Sequence, residues 1–176
     1  MDTKVPKTSA KRPFYQSSQM LSLSPIDKKV YCEFANNLME KKCMKLSEDV
    51  FGYVYDVVDG QTWYVQHILN RLYDIGGEID IRIVNDTIMT SVMEQEVAFL
   101  NYYESLTYNQ SQLLLAIARD KAVESVLRKI SSIVMACLPS SVSLALKALI
   151  EREFVYKYNG KFIIYDRFFA IWLRNL

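Results

Sequence analysis

Residues 140–166 read SSVSLALKALIEREFVYKYNGKFIIYD and join a helix pattern to a hairpin pattern. The helix pattern starts at Pro139 and Ser140, and its apolar face consists of Val142, Ala145, Leu146 and Leu149. Two short runs rich in β-forming residues, EFVYKY and KFIIYD, follow on either side of Asn159 and Gly160. Since Asn-Gly tolerates the positive φ angles of a type I′ turn, the stretch predicts a helix followed by a two-stranded ribbon.

The flanking residues extend this pattern to a small domain. Upstream, Thr107 and Gln110 form a capping box ahead of an apolar run, and a second helix is predicted from the spacing of Val123, Val126, Leu127 and Ile130. Downstream, Asp166 precedes a last helix pattern, RFFAIWLRNL. The order helix, helix, helix, hairpin is typical of a winged helix-turn-helix domain, whose wing is the hairpin.

The first half of the chain is predicted to be helical. Ser24 is expected to cap a helix that has Pro25 in its first position and an apolar face at Ile26, Val30, Phe34 and Leu38. Ser47 offers a second start, with Glu48 and Asp49 placed where the helix dipole favours anions, and Gly60 offers a stop.

Two more helical patterns complete this half. QTWYVQHILNRLYDIGG predicts a helix that ends at Gly76 and Gly77 and buries Val65, Ile68, Leu69, Leu72 and Tyr73. From about Val84 to Ser105, one apolar line runs through Ile88, Val92 and Phe99, and another through Met89, Met93, Val97 and Leu100. Two such lines imply contacts on more than one side of the segment.

The charges divide the chain into three parts. Residues 1–25 carry four Lys/Arg and one Asp, residues 26–101 carry seven Lys/Arg and thirteen Asp/Glu, and residues 102–176 carry ten and six. We therefore predict a basic leader over 1–23, a helical bundle over 24–105 and a winged-helix domain over 106–176. The predicted fold class is mostly α, with a small β-hairpin wing.

The overall composition excludes several classes of protein. A net charge of +1 gives no global attraction to nucleic acid or to an acidic membrane surface. The sequence has neither an apolar run of membrane-spanning length nor a secretion signal, so we expect no membrane partner. Cys32, Cys43 and Cys137 lack a C-x-x-C pair and predict reduced core thiols in a cytoplasmic protein.

Candidate nucleic-acid contacts are few. Lys157 and Lys161 on the wing, Arg128 and Lys129 on the second helix, and Lys147 on the third could touch phosphate. The rest of the third helix's outer face is nearly neutral, with Ser140, Ser141, Ser143, Glu151 and Glu153. Because base readout uses Arg, Lys, Asn and Gln, we rank a protein-contacting winged helix above a DNA reader.

No catalytic or metal-binding constellation is evident in the sequence. His67 is the only histidine, and it lies beside an apolar helix stripe, which predicts a half-buried structural side chain. The acid pairs lie at helix starts or on predicted exposed faces, where they favour solubility. We expect neither catalytic residues nor a metal site.

Four segments taken together resemble a known family: KRPFYQSS, DGQTWYVQHILNRLY, LTYNQSQLLLAIA and SSVSLALKALIEREFVYKYNGKFIIYDRFFAIWL. In this order they resemble the C-terminal half of archaeal/Bacteroidetes-type AAA+ ATPases, which are close to the STAND group. The resemblance covers residues 9–176, and Asp166, Phe169, Trp172 and Leu173 match the family's C-terminal ending.

The resemblance implies a helical lid followed by a winged helix, both of which serve an ATPase core. It implies that Gly60, Gln61 and Thr62 face nucleotide at a helix start, although the proline usual in the family is missing, and that Arg12 contacts phosphate. The sequence departs from the family in having no G-x-x-x-x-G-K-[ST] motif and no acidic strand end for magnesium. We therefore expect no cofactor for this chain alone, and ATP with magnesium only in the complete architecture.

Three functions remain open at this point. The first is the non-catalytic lid and winged helix of an ATPase, either a natural short protein or a fragment, which couples nucleotide state to protein partners. Its partners are then a protein or the ATPase core, with self-association as a further possibility. The second is a small DNA-binding regulator with a helical dimerisation domain. The third is an adaptor that binds protein alone.

Overall fold

A computed structural model describes residues 24–119 and 139–176. Within these ranges the chain is mostly helical, with one antiparallel hairpin near the C-terminus. The helices are α1 Lys28–Met39, α2 Glu48–Val57, α3 Thr62–Ile75, α4 Ile81–Met93, α5 Glu96–Glu104, α6 Tyr108–Arg119, α7 Pro139–Glu151 and α8 Arg167–Arg174. The strands are β1 Val155–Tyr158 and β2 Lys161–Ile164, and a 3₁₀ turn, Glu40–Lys42, extends α1.

Helix α1 begins later than predicted. Its N-cap is Asp27, whose Oδ1 accepts hydrogen bonds from the backbone N–H groups of Lys29, at 3.0 Å, and Val30, at 3.2 Å. The prediction of Ser24 as N-cap, with Pro25 as the first helical residue, was wrong. A carboxylate that accepts two N–H groups caps a helix well and also complements its dipole, so Asp27 sets the start.

The apolar line predicted for α1 faces outward. Ile26, Val30, Phe34 and Leu38 are all exposed, and the side buried in the bundle carries Tyr31, Ala35 and Met39. The two lines lie on neighbouring faces of one helix, and the face that packs against α2 is the one that is buried. Tyr31 packs edge-on against Phe51 of α2, with ring centroids 5.6 Å apart.

Helices α2 and α3 follow the sequence prediction closely. Ser47 Oγ accepts from Val50 N at 3.2 Å and caps α2. Gly60, with φ +65°, donates its N–H to the Tyr55 carbonyl at 2.8 Å and closes the turn after α2. Helix α3 ends at Gly76 as expected, and its buried residues are Val65, Ile68, Leu69 and Leu72. Tyr73 is only half-buried, and Lys42 Nζ lies over its ring, 4.1 Å from the centroid.

Two helices replace the single apolar stretch seen between Val84 and Ser105. Helix α4 ends at Met93, and α5 starts at Glu96, after a turn in which Gln95 N donates to the Val92 carbonyl at 3.1 Å. The break turns Phe99 into the core and leaves part of the second apolar line in solvent: Met93, Val97 and Leu100. Within the described residues, that line therefore makes fewer contacts than the spacing implied.

The C-terminal region has the fold predicted from the opening stretch. Gln110 Oε1 accepts from Thr107 N at 3.0 Å at the start of α6, which is one half of the predicted capping box. The hairpin pairs Val155 with Ile164 and Tyr158 with Lys161, around a turn in which Asn159 and Gly160 both have positive φ. The helix predicted between α6 and α7, from Val123 to Ile130, lies outside the described residues.

Helix α8 joins the two halves of the molecule. It begins directly after Asp166, as predicted, and Asp166 Oδ1 caps it by accepting from Phe169 N at 3.0 Å. The helix packs against α4, α5, α6 and β2, and its buried residues include Phe168, Phe169, Trp172 and Leu173. The boundary between residues 105 and 106 stays a prediction, since contacts of α8 span it.

Two further expectations have different outcomes. Cys43 is exposed and adopts a left-handed conformation, φ 55°, directly after the 3₁₀ turn, so the prediction that it is a core thiol was wrong. Cys32 is partly buried, and Cys137 lies outside the described residues. Among residues 24–119 and 139–176, no helix is both long and apolar enough to cross a bilayer.

Candidate functional site

The predicted nucleotide-facing residues lie in the short turn between α2 and α3. Asp59 and Gly60 both have positive φ, and Gln61 is the N-cap of α3 without a side-chain capping hydrogen bond. A Cβ added to Gly60 would come within 2.3 Å of the Tyr55 ring, so the turn requires glycine for space as well as for backbone conformation. Gly60 thus closes the turn that follows α2, and Thr62 begins α3 directly after Gln61.

Gly60, Gln61 and Thr62 line a cavity of about 540 Å³ that faces the wing. The rest of its wall comes from the segment before α1, the hairpin and the start of α8: Ser24, Pro25, Asp59, Tyr156, Tyr158, Ile163 and Arg167. The structure therefore brings Gly60, Gln61 and Thr62 together against the C-terminal domain of the same chain. Arg12, the other residue predicted to contact nucleotide, lies outside the described residues.

Arg167 is the buried cation of this cavity. Its Nε lies 3.3 Å from Asp59 Oδ2 in an ion pair, although no hydrogen bond forms at Nε within the described part of the chain. Nη2 donates to the Tyr156 hydroxyl at 2.8 Å, and Nη1 donates to the Ile164 carbonyl. The guanidinium thus ties the end of α2 to the hairpin, and much of its charge is compensated inside the chain. The sequence patterns did not identify this residue.

An aromatic group stands beside the cavity at the first turn of α3. Trp63 is 60% exposed and stacks on His67, with ring centroids 5.2 Å apart. Tyr64 packs edge-on against Phe168 at 4.9 Å, and burial, followed by the nearby Asp166 carboxylate, raises the pKa of the Tyr64 hydroxyl. These contacts join α3 to α8 through aromatic edges and faces.

His67 is a half-buried structural side chain, as the sequence predicted. Its Nε2 lies 3.2 Å from Ser91 Oγ, in a hydrogen bond between α3 and α4. Burial lowers the pKa of His67, and the charge of Arg71 lowers it further. Within residues 24–119 and 139–176, no group of three His, Cys, Asp or Glu side chains is placed to hold a metal ion.

The outer face of α7 is more apolar than predicted. Leu144 is 69% exposed, and Ile150 is exposed as well. Lys147 Nζ lies 3.8 Å from Glu151 Oε1, so the single lysine of this helix is paired within it. Two of the residues assigned to this face are placed differently: Ser141 is half-buried, and Glu153 lies beyond the helix end with φ 61°.

The two wing lysines differ in their surroundings. Lys157 is exposed and lies over the ring of Phe162, its cross-strand partner, 5.5 Å from the centroid. Lys161 is half-buried and pairs with Tyr158 across the turn. The hairpin therefore presents one exposed cation, and Arg128 and Lys129 lie outside the described residues. The structure groups Lys157 with Lys161 and leaves Lys147 on a separate element.

Comparison with known proteins agrees with this geometry. Residues 97–175 match the family model of a probable winged helix domain. No curated protein and no solved structure matches the chain. The matched range starts in α5 and includes α6, α7, the hairpin and α8. The C-terminal region of this chain is a winged helix domain.

Proposed function

We propose that this chain is a non-catalytic protein-binding unit, the lid and winged helix of an AAA+ STAND-like ATPase, which relays nucleotide state to a partner protein. The outward face of α7 carries the proposal. Leu144 is 69% exposed there, next to a lysine already paired with Glu151. An exposed leucine beside a lysine that has an acidic partner on the same helix suits contact with protein, whose interface cores are apolar and poor in charge.

The same face is poorly suited to reading DNA. Base edges in the major groove are recognised by Arg, Lys, Asn and Gln, which make bidentate hydrogen bonds. The outward residues of α7 are instead Ser143, Leu144, Lys147, Ile150 and Glu151. A leucine pressed into the major groove would meet polar base edges without satisfying them.

The ATPase context is supported by the order of the four sequence segments and by the start of α3. Gln61 caps that helix without a side-chain hydrogen bond, so the first N–H groups can donate to an anionic or polar acceptor supplied by another protein. The sequence has no P-loop, so phosphate binding must come from a separate core. Trp63, mostly exposed in the first turn of α3, adds apolar area for such a contact.

Supplying a core tests this proposal. The 176-residue chain would be fused to the P-loop core of a family member, and ATP hydrolysis would be compared with that of the core alone. We expect the fusion to change the rate several-fold and Leu144→Glu to reduce that change. Val97→Glu is the matched control, because Val97 is 74% exposed on a different helix. A rate that is the same with and without the chain would contradict the proposal.

Nucleotide binding by the chain alone gives a second test. Calorimetric titration of the unfused chain with ATP and magnesium should show weak binding or none, because a phosphate cradle is missing from the sequence. Tight, saturable binding would contradict a role that depends on a separate core.

A DNA-binding regulator is the second candidate. It is favoured by the excess of four positive charges over residues 102–176 and by exposed Lys157 on the wing. Such a protein would bind phosphate through its lysines and arginines, and its affinity would fall steeply with salt. Protein contact through Leu144 has no such salt dependence, so the two candidates differ in a measurable way.

A further inference from the structure

Helix α1 carries an apolar line that no part of the described chain covers. Val30 is 59% exposed, Phe34 is 55% exposed and Leu38 is 43% exposed, at successive steps of four residues. Side chains with this spacing form one ridge along a helix. The ridge lies outside the helical bundle, where an aromatic and two aliphatic side chains contact water.

Within α1 the ridge is symmetric about Phe34, and Ile26, which is also exposed, precedes the helix. Val30 and Leu38 each lie four residues from it, and Asp27 and Lys41 each lie seven residues from it. At 3.6 residues per turn, steps of four keep Val30, Phe34 and Leu38 on one side of α1, and steps of seven would bring Asp27 and Lys41 to that side, although both lie just outside the helix, at its N-cap and in the 3₁₀ turn. Lys41 does lie there, because it lines a groove of about 450 Å³ together with Phe34 and Leu38.

The two ends of the ridge have opposite charges. Asp27 and Lys41 are both exposed. A half-turn rotation about Phe34 places each of these charges beside its opposite, and it places each aliphatic residue beside the other aliphatic residue. A surface that complements itself under a half-turn is the requirement for an isologous contact between two identical chains.

We propose that a second copy of this chain docks on α1, with the two α1 helices antiparallel and Phe34 at the two-fold axis. Val30 then packs beside Leu38 of the second copy, and Asp27 lies near Lys41 of the second copy. In a parallel arrangement like charges would meet at both ends, which is unfavourable.

The contact is small, so the dimer is reversible. A helix of twelve residues is about 18 Å long, and one helix pair buries less surface than a stable standard interface. The affinity should therefore be visible only at high protein concentration. This proposal does not rest on the proposed function, because it uses neither α7 nor an ATPase core.

Sedimentation equilibrium of the 176-residue chain between ~5 and ~500 µM tests the contact. We expect a monomer–dimer equilibrium, and we expect Phe34→Asp to weaken it by at least ~10-fold. Val97→Asp, a change of an even more exposed apolar residue on α5, should leave it unchanged. A monomer across the whole range, or a dimer that Phe34→Asp leaves intact, would overturn the proposal. Circular dichroism confirms that each variant is folded.

Cysteine cross-linking tests the orientation. In a Cys43→Ser/Cys137→Ser background, which removes the thiol that is exposed in the described residues and the one that lies outside them, Val30→Cys and Leu38→Cys variants are oxidised separately and as a mixture. In the antiparallel dimer the two copies of residue 30 lie about 12 Å apart, beyond the reach of a disulfide. We expect a mixed Val30→Cys to Leu38→Cys cross-link in excess of those of either variant alone. Cross-links that are strongest within Val30→Cys alone would overturn the antiparallel arrangement.

Discussion

Helices α1 and α8 are both short and amphipathic, and an aspartate caps each of them, yet they use their apolar residues in opposite ways. Helix α8 buries Phe168, Phe169, Ile171, Trp172 and Leu173. Helix α1 buries three residues and leaves its longest regular apolar line in solvent. Apolar spacing therefore identifies a helix, but the surrounding elements decide which of its faces enters the core.

The surroundings of the two helices explain the difference. Helix α8 lies among α4, α5, α6 and β2, so its rings find partners on several sides. Phe169 alone lies 5.2 Å from the Phe99 ring, 5.8 Å from the Trp172 ring and 6.0 Å from the Phe154 ring, measured between centroids. Helix α1 stands at the edge of the bundle and packs mainly against α2.

The largest difference in stability is expected when one phenylalanine ring is truncated on each helix. Phe169→Ala removes a buried ring from the aromatic cluster and should lower the free energy of unfolding by about 3–5 kcal/mol. Phe34→Ala on α1 removes an exposed ring and should change it by no more than about 0.5 kcal/mol. Urea unfolding below the concentrations at which the chain dimerises compares the two. Similar losses of unfolding free energy in both variants would contradict the difference between the two helices.

Arginines provide the second comparison. Arg167→Met at the start of α8 leaves the Tyr156 hydroxyl and Asp59 without their buried partner, and should cost about 2 kcal/mol. Arg71→Met removes an ion pair with Glu94, 2.5 Å long, which lies at the surface and should matter less. The same unfolding assay measures both, and a smaller effect for Arg167 than for Arg71 would count against a structural role for the buried guanidinium.

The two aspartate caps sharpen the comparison further. Asp166→Ala should lower global stability by about 1 kcal/mol, because α8 cannot fray without opening the core. Asp27→Ala removes a similar cap from the edge helix, so its loss should be largely local. Amide hydrogen exchange resolves the difference: faster exchange confined to α1 is expected for Asp27→Ala. Asp166→Asn is the control that keeps a capping oxygen.

The smallest effect concerns pH at the contact between α3 and α8, where the rings of His67 and Phe168 are 5.4 Å apart. Because burial lowers the pKa of His67 in the folded chain, the unfolded chain takes up the proton first as pH falls below about 6.5. The stability contributed by the neutral imidazole is thus fully present above that pH, and it is lost as pH falls toward the folded pKa.

Unfolding measured at pH 8 and at about pH 5.5 tests this sign. The chain contains one histidine, so His67→Gln should flatten that part of the pH profile. A wild-type chain that becomes more stable on acidification over this range would show that the sign is wrong.

Local signals were sufficient for most of the fold. The Asn159–Gly160 turn, the helix starts at Ser47 and after Asp166, and the glycine stops all depend on neighbouring backbone groups, and each was predicted correctly. The start of α1 was missed because Ser24 and Asp27 are both acceptable caps, and a nearest-neighbour pattern cannot rank them.

The site was less predictable, because its features depend on distant residues. Arg167 looks like an ordinary first-turn residue of α8, and only the packing of Asp59 and Tyr156 buries it. Gly60, Gln61 and Thr62 were identified together, but their position against the wing depends on tertiary structure. Likewise, the exposure of Leu144 could not be read from the apolar spacing of α7, which predicts a face and leaves its neighbours undefined.

We propose above that this winged helix contacts protein through α7 and does not read DNA. The direct measurement is fluorescence anisotropy of a labelled duplex titrated with the full chain at ~50 and ~200 mM salt. We predict no saturable binding at either salt concentration and no difference between the wild-type chain and a Lys157→Ala/Lys161→Ala variant. Tight binding at low salt that weakens steeply at high salt and is lost in that variant would contradict it.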